Sequence, residues 1–494
     1  MEIKAKISSL QDVEADVVIV NLFKGVTSPG GATGAVDSAL GGLISEFVIK
    51  KDKFEGNFGD TYILQTYGKI KASKVLVAGL GEAKDFNLTK LRELNAKIIK
   101  KCESTLKPKK IASILHGAGI GGLAPKDCAR AITEGVLLGG YKFEKYKTKK
   151  SHNTEFFEIV EINADILSQI EEGIKEGEII ANAANYARDL VNEPAMVVNP
   201  AKLAETALGI ESIETTVIEG KDALEKGMGA FYAVGMGSEN ESKFIHMKYT
   251  PANPRKKVAL IGKGVTFDSG GLDIKPASSM REMKGDMSGA ACILGIMNYA
   301  KALNLDIEIH GIIAAVENMP SGKAYRPGDI LTALNGKTIE VDNTDAEGRL
   351  TLADALCYAS DLKVDEIVDI ATLTGACCVA LGQEAAAVLG NNQGLVDKLK
   401  EASENAGERI WQMPMYEEHL TMLKSDVADL KNTGGRYAGT MTAAVFLKEF
   451  VKDTNWAHLD IAGCAVPDKE IRGLSKGPTG VGVRTLLYYL LQKP

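Results

Sequence analysis

Gly336-Lys337-Thr338-Ile339-Glu340-Val341-Asp342-Asn343-Thr344-Asp345-Ala346-Glu347-Gly348-Arg349-Leu350 runs from a turn, through a short alternation of apolar residues, into a knot of acids. Beyond it Leu350, Leu352, Ala353, Leu356 and Ala359 recur at helical spacing. The acids therefore stand at a strand-to-helix junction, which is where open α/β sheets place their ligands. On a locally extended segment Asp345 and Glu347 point to the same side, and two carboxylates converging in one cleft need a cation between them. An isolated Asp-x-Glu pair reads more simply as a solvated acidic turn, so its weight here comes from the junction.

The alternation of strand and helix signals extends in both directions. Strands are expected at 257–261, 307–316, 338–341, 366–371 and 456–461, with helices over 287–303 and 350–362. Towards the amino terminus, 17–22 and 75–81 read as buried strands of a parallel sheet and 88–99 as a helix. Gly79-Leu80-Gly81 lacks the third glycine of a dinucleotide fingerprint, Lys84 standing in its place. Lys142, Lys145, Lys147, Lys149 and Lys150 mark a solvated loop, and 165–191 a long polar-faced helix stopped by Asn192-Glu193-Pro194. These signals divide the chain into an amino-terminal α/β domain over 1–160, a helical linker over 161–195 and a larger domain over 196–494.

With 494 residues, 45% of them hydrophobic, and 51 glycines, the chain is long enough for two domains with a core each. A net charge of −7 argues against a general nucleic-acid surface. The seven cysteines form no CxxC pair and read as reduced, buried small hydrophobes of a cytoplasmic protein. No run approaches the ~20 apolar residues of a membrane span, and Met1-Glu2-Ile3-Lys4-Ala5-Lys6 lacks the apolar core of a secretion signal.

A second cluster strengthens the first. Gly262-Lys263-Gly264-Val265-Thr266-Phe267-Asp268-Ser269-Gly270-Gly271, followed by Lys275 and Met283-Lys284-Gly285-Asp286, reads as a glycine-rich loop after the strand ending at Ile261. It delivers Lys263 and Asp268 to the same end of the sheet as Asp345. It has no Gly-x-x-x-x-Gly-Lys-Ser/Thr phosphate loop. None of the six histidines falls in either cluster, so oxygen ligands dominate any metal site and His458 reads as a satisfied core histidine.

The stretch from Asn343 to Leu350 resembles the signature of the leucyl (cytosol) aminopeptidases, and the Lys263 to Asp286 region is similar to their second metal-binding segment. The likeness continues through the runs from Asp369 to Ala376, Ala428 to Asn432 and Trp456 to Gly463. It implies an α/β chain with a smaller amino-terminal domain and a larger carboxy-terminal α/β/α catalytic domain around a central mixed sheet. It also implies two divalent metals, Mn²⁺ or Zn²⁺, per subunit. Asp268 and Glu347 would bridge them, Lys263 and Asp286 would complete the tighter site, and Asp345, with its backbone carbonyl, the more exchangeable one. Two cations beside Lys263 favour its neutral amine. A metal-bridging water, ionised to hydroxide near neutral pH, would attack the scissile carbonyl. Lys275 would donate to the developing oxyanion, and Arg349 would hold a bicarbonate ion that carries the proton. Met283, Thr372, Leu373, Gly375 and Ala462 would line an apolar side-chain pocket.

The implied activity removes leucine and other apolar residues from peptides with a free amino terminus, whose α-amine would ligate a metal; the family assembles as homohexamers. Two rivals belong to other classes. A DNA-binding role is suggested by relatives that also act on DNA, but the acidic balance opposes it. Phosphate-ester hydrolysis is a reaction that two metals also serve.

Overall fold

The computed structural model describes residues 1–119 and 121–493. The chain forms two compact units, Met1–Asn182 with Arg472–Ser475, and Ala183–Ile471 with Lys476–Pro494.

The first unit is built on six strands: β1 (Glu2–Ile7), β2 (Val17–Phe23), β3 (Thr61–Gln65), β4 (Lys74–Gly81), β5 (Lys110–Ile114) and β6 (Phe156–Glu161). They lie in the order β1-β6-β5-β2-β4-β3, parallel except for β3. The helices Leu88–Lys101 and Pro125–Gly139 bury their apolar stripes against Val17, Ile19, Leu76 and Ile111 on one face. Gly31–Ala39 and the helical turns of Ile44–Lys51 cover Val18, Val20, Val75 and Val77 on the other. A strand covered on both faces has to be apolar throughout, hence the unbroken run Val17-Val18-Ile19-Val20. Gly79 serves packing, since a Cβ there would lie 2.1 Å from the Asn57 carbonyl oxygen.

In the second unit β7 (Glu214–Glu219), β8 (Lys243–Tyr249), β9 (Lys257–Asp268), β10 (Glu308–Asn318), β13 (Glu366–Ala371), β14 (Ala386–Gly390), β15 (Ile410–Gln412) and β17 (Asn455–Asp460) form one mixed sheet. Its order is β15-β14-β17-β13-β9-β10-β8-β7, with the central β17-β13-β9-β10 mutually parallel. β11 (Ile330–Thr332), β12 (Thr338–Glu340) and β16 (Leu430–Lys431) make a small separate sheet. The buried helix Ser288–Tyr299 packs on β9 and β10, and Gly348–Asp361 enters the core that contains Ile261, Ile312 and Leu356. No single helix among the described residues is long and apolar enough to cross a membrane.

Two local expectations are corrected. Residues 262–268 are not a loop, because β9 runs on to Asp268. The glycines serve close packing instead: a Cβ on Gly262 would meet the Gly289 carbonyl oxygen at 2.5 Å, and one on Gly289 would meet that of Ile370 at 2.1 Å. Asp345 and Glu347 also do not share an extended segment. Asp345 lies in a turn closed by its N–H on Asn343 Oδ1, and Glu347 is helical, at φ −76° and ψ −37°.

Candidate metal centre

Four short segments bring the charged residues together. β9 carries Lys263 and Asp268, five residues apart, an odd separation that in a regular strand puts side chains on opposite faces. Here the register against β10 shifts: Lys263 pairs with Ala314, and Asp268 with Asn318. β10 counts four steps where β9 counts five, so the extra residue in β9 turns Lys263 and Asp268 into the same cleft. Asp286 precedes the helix Ser288–Tyr299, and Glu347 stands at the N-cap of Gly348–Asp361. A Cβ at Gly348 would lie 2.6 Å from Lys263 Nζ, so glycine there makes room for the lysine.

Asp268, Asp286 and Glu347 are buried, and each offers an oxygen within 4.8 Å of the others. Lys263 Nζ lies 2.8 Å from both Asp286 Oδ2 and Glu347 Oε1, and donates to the Thr372 carbonyl at 2.9 Å. Lys275 Nζ lies 2.8 Å from Asp268 Oδ2 and 2.5 Å from Asp345 Oδ1. Asp345 is half-buried and outside the close triad; Lys275 joins it to Asp268. Burial pushes the Asp268 and Asp286 carboxyls up, and neighbouring carboxylates add to this against the lysines. Burial works against the Lys263 ammonium, but Asp286, Glu347 and Asp268 hold it above its ordinary range. This oxygen-rich set, with its carboxylates crowded out of water, fits a hard divalent cation.

Arg349 is buried, with Nη1 donating to the Asn432 carbonyl at 2.8 Å. Its Nε has no hydrogen-bond partner, and among the described residues it forms no ion pair with a carboxylate. Burial lowers the guanidinium to about 10, against the raising influence of Glu347 and Asp460. A planar cation with an uncommitted N–H suits a small bidentate anion.

A cleft of about 400 Å³ contains all of these groups together with Met283, Thr372, Leu373, Gly375 and Ala462. Met283 is half-buried at the wall rather than in the core, and a Cβ on Gly375 would meet nothing within 4 Å. Thr372 belongs to the charged network as well, its hydroxyl donating to Asp286 Oδ1 at 2.8 Å. Cys378, Ala465 and Val466, which the sequence did not single out, line the same cleft.

Also missed were the residues that hold the ligand loops. Asn318 Nδ2 donates to Asp268 Oδ1 at 2.8 Å and to the Thr344 carbonyl at 3.1 Å. Asn432 Nδ2 donates to the carbonyls of Asn343 and Ala346, while its Oδ1 accepts from the N–H groups of Asp342 and Asn343. A polar residue ending the apolar strand β10 was the only signal for Asn318. His458 is a buried core histidine against Asp369, at 2.5 Å, and lies outside the cleft.

Residues 185–487 match the catalytic domain of the cytosol aminopeptidase family, and residues 19–150 match that family's N-terminal domain. The chain belongs to the cytosol aminopeptidase family, whose members are hydrolases. A probable cytosol aminopeptidase of Aquifex aeolicus is 44% identical over 100% of this chain and 98% of its own length. One from Alkaliphilus metalliredigens is 42% identical, over 98% and 97%. A mutant of tomato leucine aminopeptidase superposes with a TM-score of 0.89 at 36% identity, covering 100% of this chain and 97% of that one. The bottromycin maturation enzyme BotP in complex with Mn gives a TM-score of 0.86 at 32% identity, over 96% and 99%.

Proposed function

We propose that this cytosol aminopeptidase is a metal-dependent, cytoplasmic enzyme that releases leucine and other apolar residues from peptide amino termini. The observation that carries this is the buried triad Asp268, Asp286 and Glu347, with oxygens within 4.8 Å of one another, opening onto a cleft with an apolar wall. Lys263, Asp268, Asp286, Asp345 and Glu347 would hold two divalent ions, Mn²⁺ or Zn²⁺, whose chemistry when bound would be to activate water and polarise the scissile carbonyl. Lys275, at the mouth of the carboxylate group, donates to the oxyanion as it forms. Arg349 would hold bicarbonate, its Nε–H being without a hydrogen-bond partner, and the anion would supply proton transfer. Met283, Thr372, Leu373, Gly375 and Ala462 receive the side chain. The space beside Gly375, where a Cβ would meet nothing within 4 Å, admits a branched residue, and a free α-amine, unlike a blocked terminus, could ligate a metal.

Hydrolysis of a leucine anilide tests the reading. Activity lost to a chelator and restored by Mn²⁺ or Zn²⁺ is the expected result. A stripped and remetallated protein that cleaves phosphate esters but no aminoacyl amide refutes it.

A further inference from the structure

Lys275 reaches the carboxylates from a segment that apolar packing does little to hold. Beyond Asp268 the chain folds back over 269–275, closed at its base by the Lys275 N–H on the Ser269 carbonyl at 2.9 Å. At the tip, Leu272, Asp273 and Ile274 are exposed, so burial of side chains does not fix how the segment lies.

Polar bonds fix it instead, and they converge on one residue. Thr344 is wholly buried and immediately precedes Asp345. Its N–H donates to Asp273 Oδ2 at 2.8 Å, and its hydroxyl oxygen accepts from the Asp273 N–H at 2.9 Å. The same hydroxyl donates to the Gly270 carbonyl at 2.6 Å. Two residues 71 positions apart thus exchange a reciprocal pair of bonds. Gly270 and Gly271 show how tightly the segment is drawn over Thr344, with φ of +87° and +68°. A Cβ on Gly271 would lie 3.0 Å from Thr344 Oγ1, and one on Gly270 would lie 2.9 Å from Asp345 Oδ1. One end of the lock is two residues from Lys275, and the other adjoins Asp345, which Lys275 meets at 2.5 Å.

Ion pairs alone would not keep Lys275 aimed in the working site. Asp268 and Asp345 attract its ammonium, but carboxylates that also hold divalent cations are largely neutralised, and like charge then pushes the ammonium outward. A donor that must stay directed at a developing oxyanion against that repulsion needs its backbone held by bonds independent of its own charge.

We propose that Asp273 is the positioning residue for Lys275. Through Thr344 it fixes the 269–275 segment to the Asp345 turn, so that the ammonium keeps its direction towards the scissile carbonyl. The proposal rests on the role given to Lys275 above, and Asp273 acts only through that lysine.

Steady-state hydrolysis of a leucine anilide tests this in Asp273→Ala and Asp273→Asn, each made in the wild type and in Lys275→Ala. Metal content, melting temperature and hydrogen exchange of residues 270–276 are measured on the same Mn²⁺-loaded proteins. Asp273→Ala should lose about tenfold or more in kcat, with KM, metal content and melting temperature unchanged and faster exchange over 270–276. In the Lys275→Ala background the same substitution should cost less than about twofold, because the group it positions is gone. Asp273→Asn should stay close to the wild type in kcat and exchange, since an amide oxygen still accepts the Thr344 N–H and only the charge is removed. A wild-type kcat or unchanged exchange in Asp273→Ala overturns the proposal, as does a loss of equal size in the Lys275→Ala background. It is equally overturned if metal or melting temperature falls with kcat, or if Asp273→Asn fails as badly as Asp273→Ala, which would make the charge responsible rather than the bond. A fully active Lys275→Ala is a separate failure: it refutes the role of Lys275 itself and this proposal with it.

Discussion

Lys275 and Asp345 face each other at 2.5 Å, yet substituting them should have separable effects. Lys275→Ala should keep its metal content and lose on the order of 10²-fold in kcat, as the removal of one oxyanion donor does. Metal analysis beside steady-state kinetics checks this, and an active Lys275→Ala removes the residue from the chemistry. Asp345→Ala should lose metal and activity together in the same measurements. A third residue concerns stability alone. His116 is wholly buried, which lowers its imidazole to about 4, so the native state stays neutral where the unfolded chain is protonated. Its stabilising contribution is complete above the unfolded value near 6.5 and is lost as pH falls towards 4, by about 3 kcal/mol in all. Wild-type protein should therefore lose more melting temperature between pH 7 and pH 4.5 than His116→Gln; equal losses contradict the assignment. At this scale the acids and lysines were legible because their chemistry lies in residue type. Asn318 and Asn432 were not, since their roles exist only in contacts with Thr344 and Asn343, 26 and 89 residues away along the chain.

Elements were legible where apolar pattern and burial coincide. β13, buried throughout, lies at the expected 366–371, and the helix Gly348–Asp361 follows the spacing of Leu350, Leu352 and Leu356. The edge strand β7 and its neighbour β8 escaped notice because charged residues interrupt the apolar ones, as in Lys243-Phe244-Ile245-His246-Met247-Lys248-Tyr249. Gly262 and Gly264 misled for a physical reason: glycine marks a flexible turn and a close backbone contact with the same letter. The approach of the helix Ser288–Tyr299 at Gly262, and of β10 at Gly264, distinguishes the two. Gly289→Ala tests the contact, because its methyl group would press on the Ile370 carbonyl and on Lys263 N, at 2.1 and 2.8 Å. Overpacking of this kind costs about 1–3 kcal/mol, so a lowered melting temperature is expected together with weaker metal retention. Unchanged melting would show that the helix can shift without consequence.

On the scale of the whole molecule, the second unit exposes Trp411, Tyr416, Leu420 and Val427 to solvent. Tyr416 and Leu420 line a groove of about 900 Å³ whose wall joins the apolar Met415, Leu430 and Val445 to charged residues such as Lys337, Lys424, Asp429 and Glu449. The family resemblance implies a homohexamer, in which exposed apolar side chains such as these would be covered. Sedimentation equilibrium should return about six times 52.7 kDa, and a monomer at micromolar concentration refutes the assembly. The additional residue in β9 bears on the molecule in another way. The sheet keeps one count along this strand and the cleft keeps another, with Lys263 on the near side of the offset and Asp268 beyond it. One residue inserted into β10 between Val316 and Asn318 would bring the two counts into step. β9 could then pair regularly with β10, with Asp268, five residues from Lys263, turned to the opposite face. Such a chain would hold every residue type its chemistry needs, on a sound sheet, and be inert through arithmetic alone.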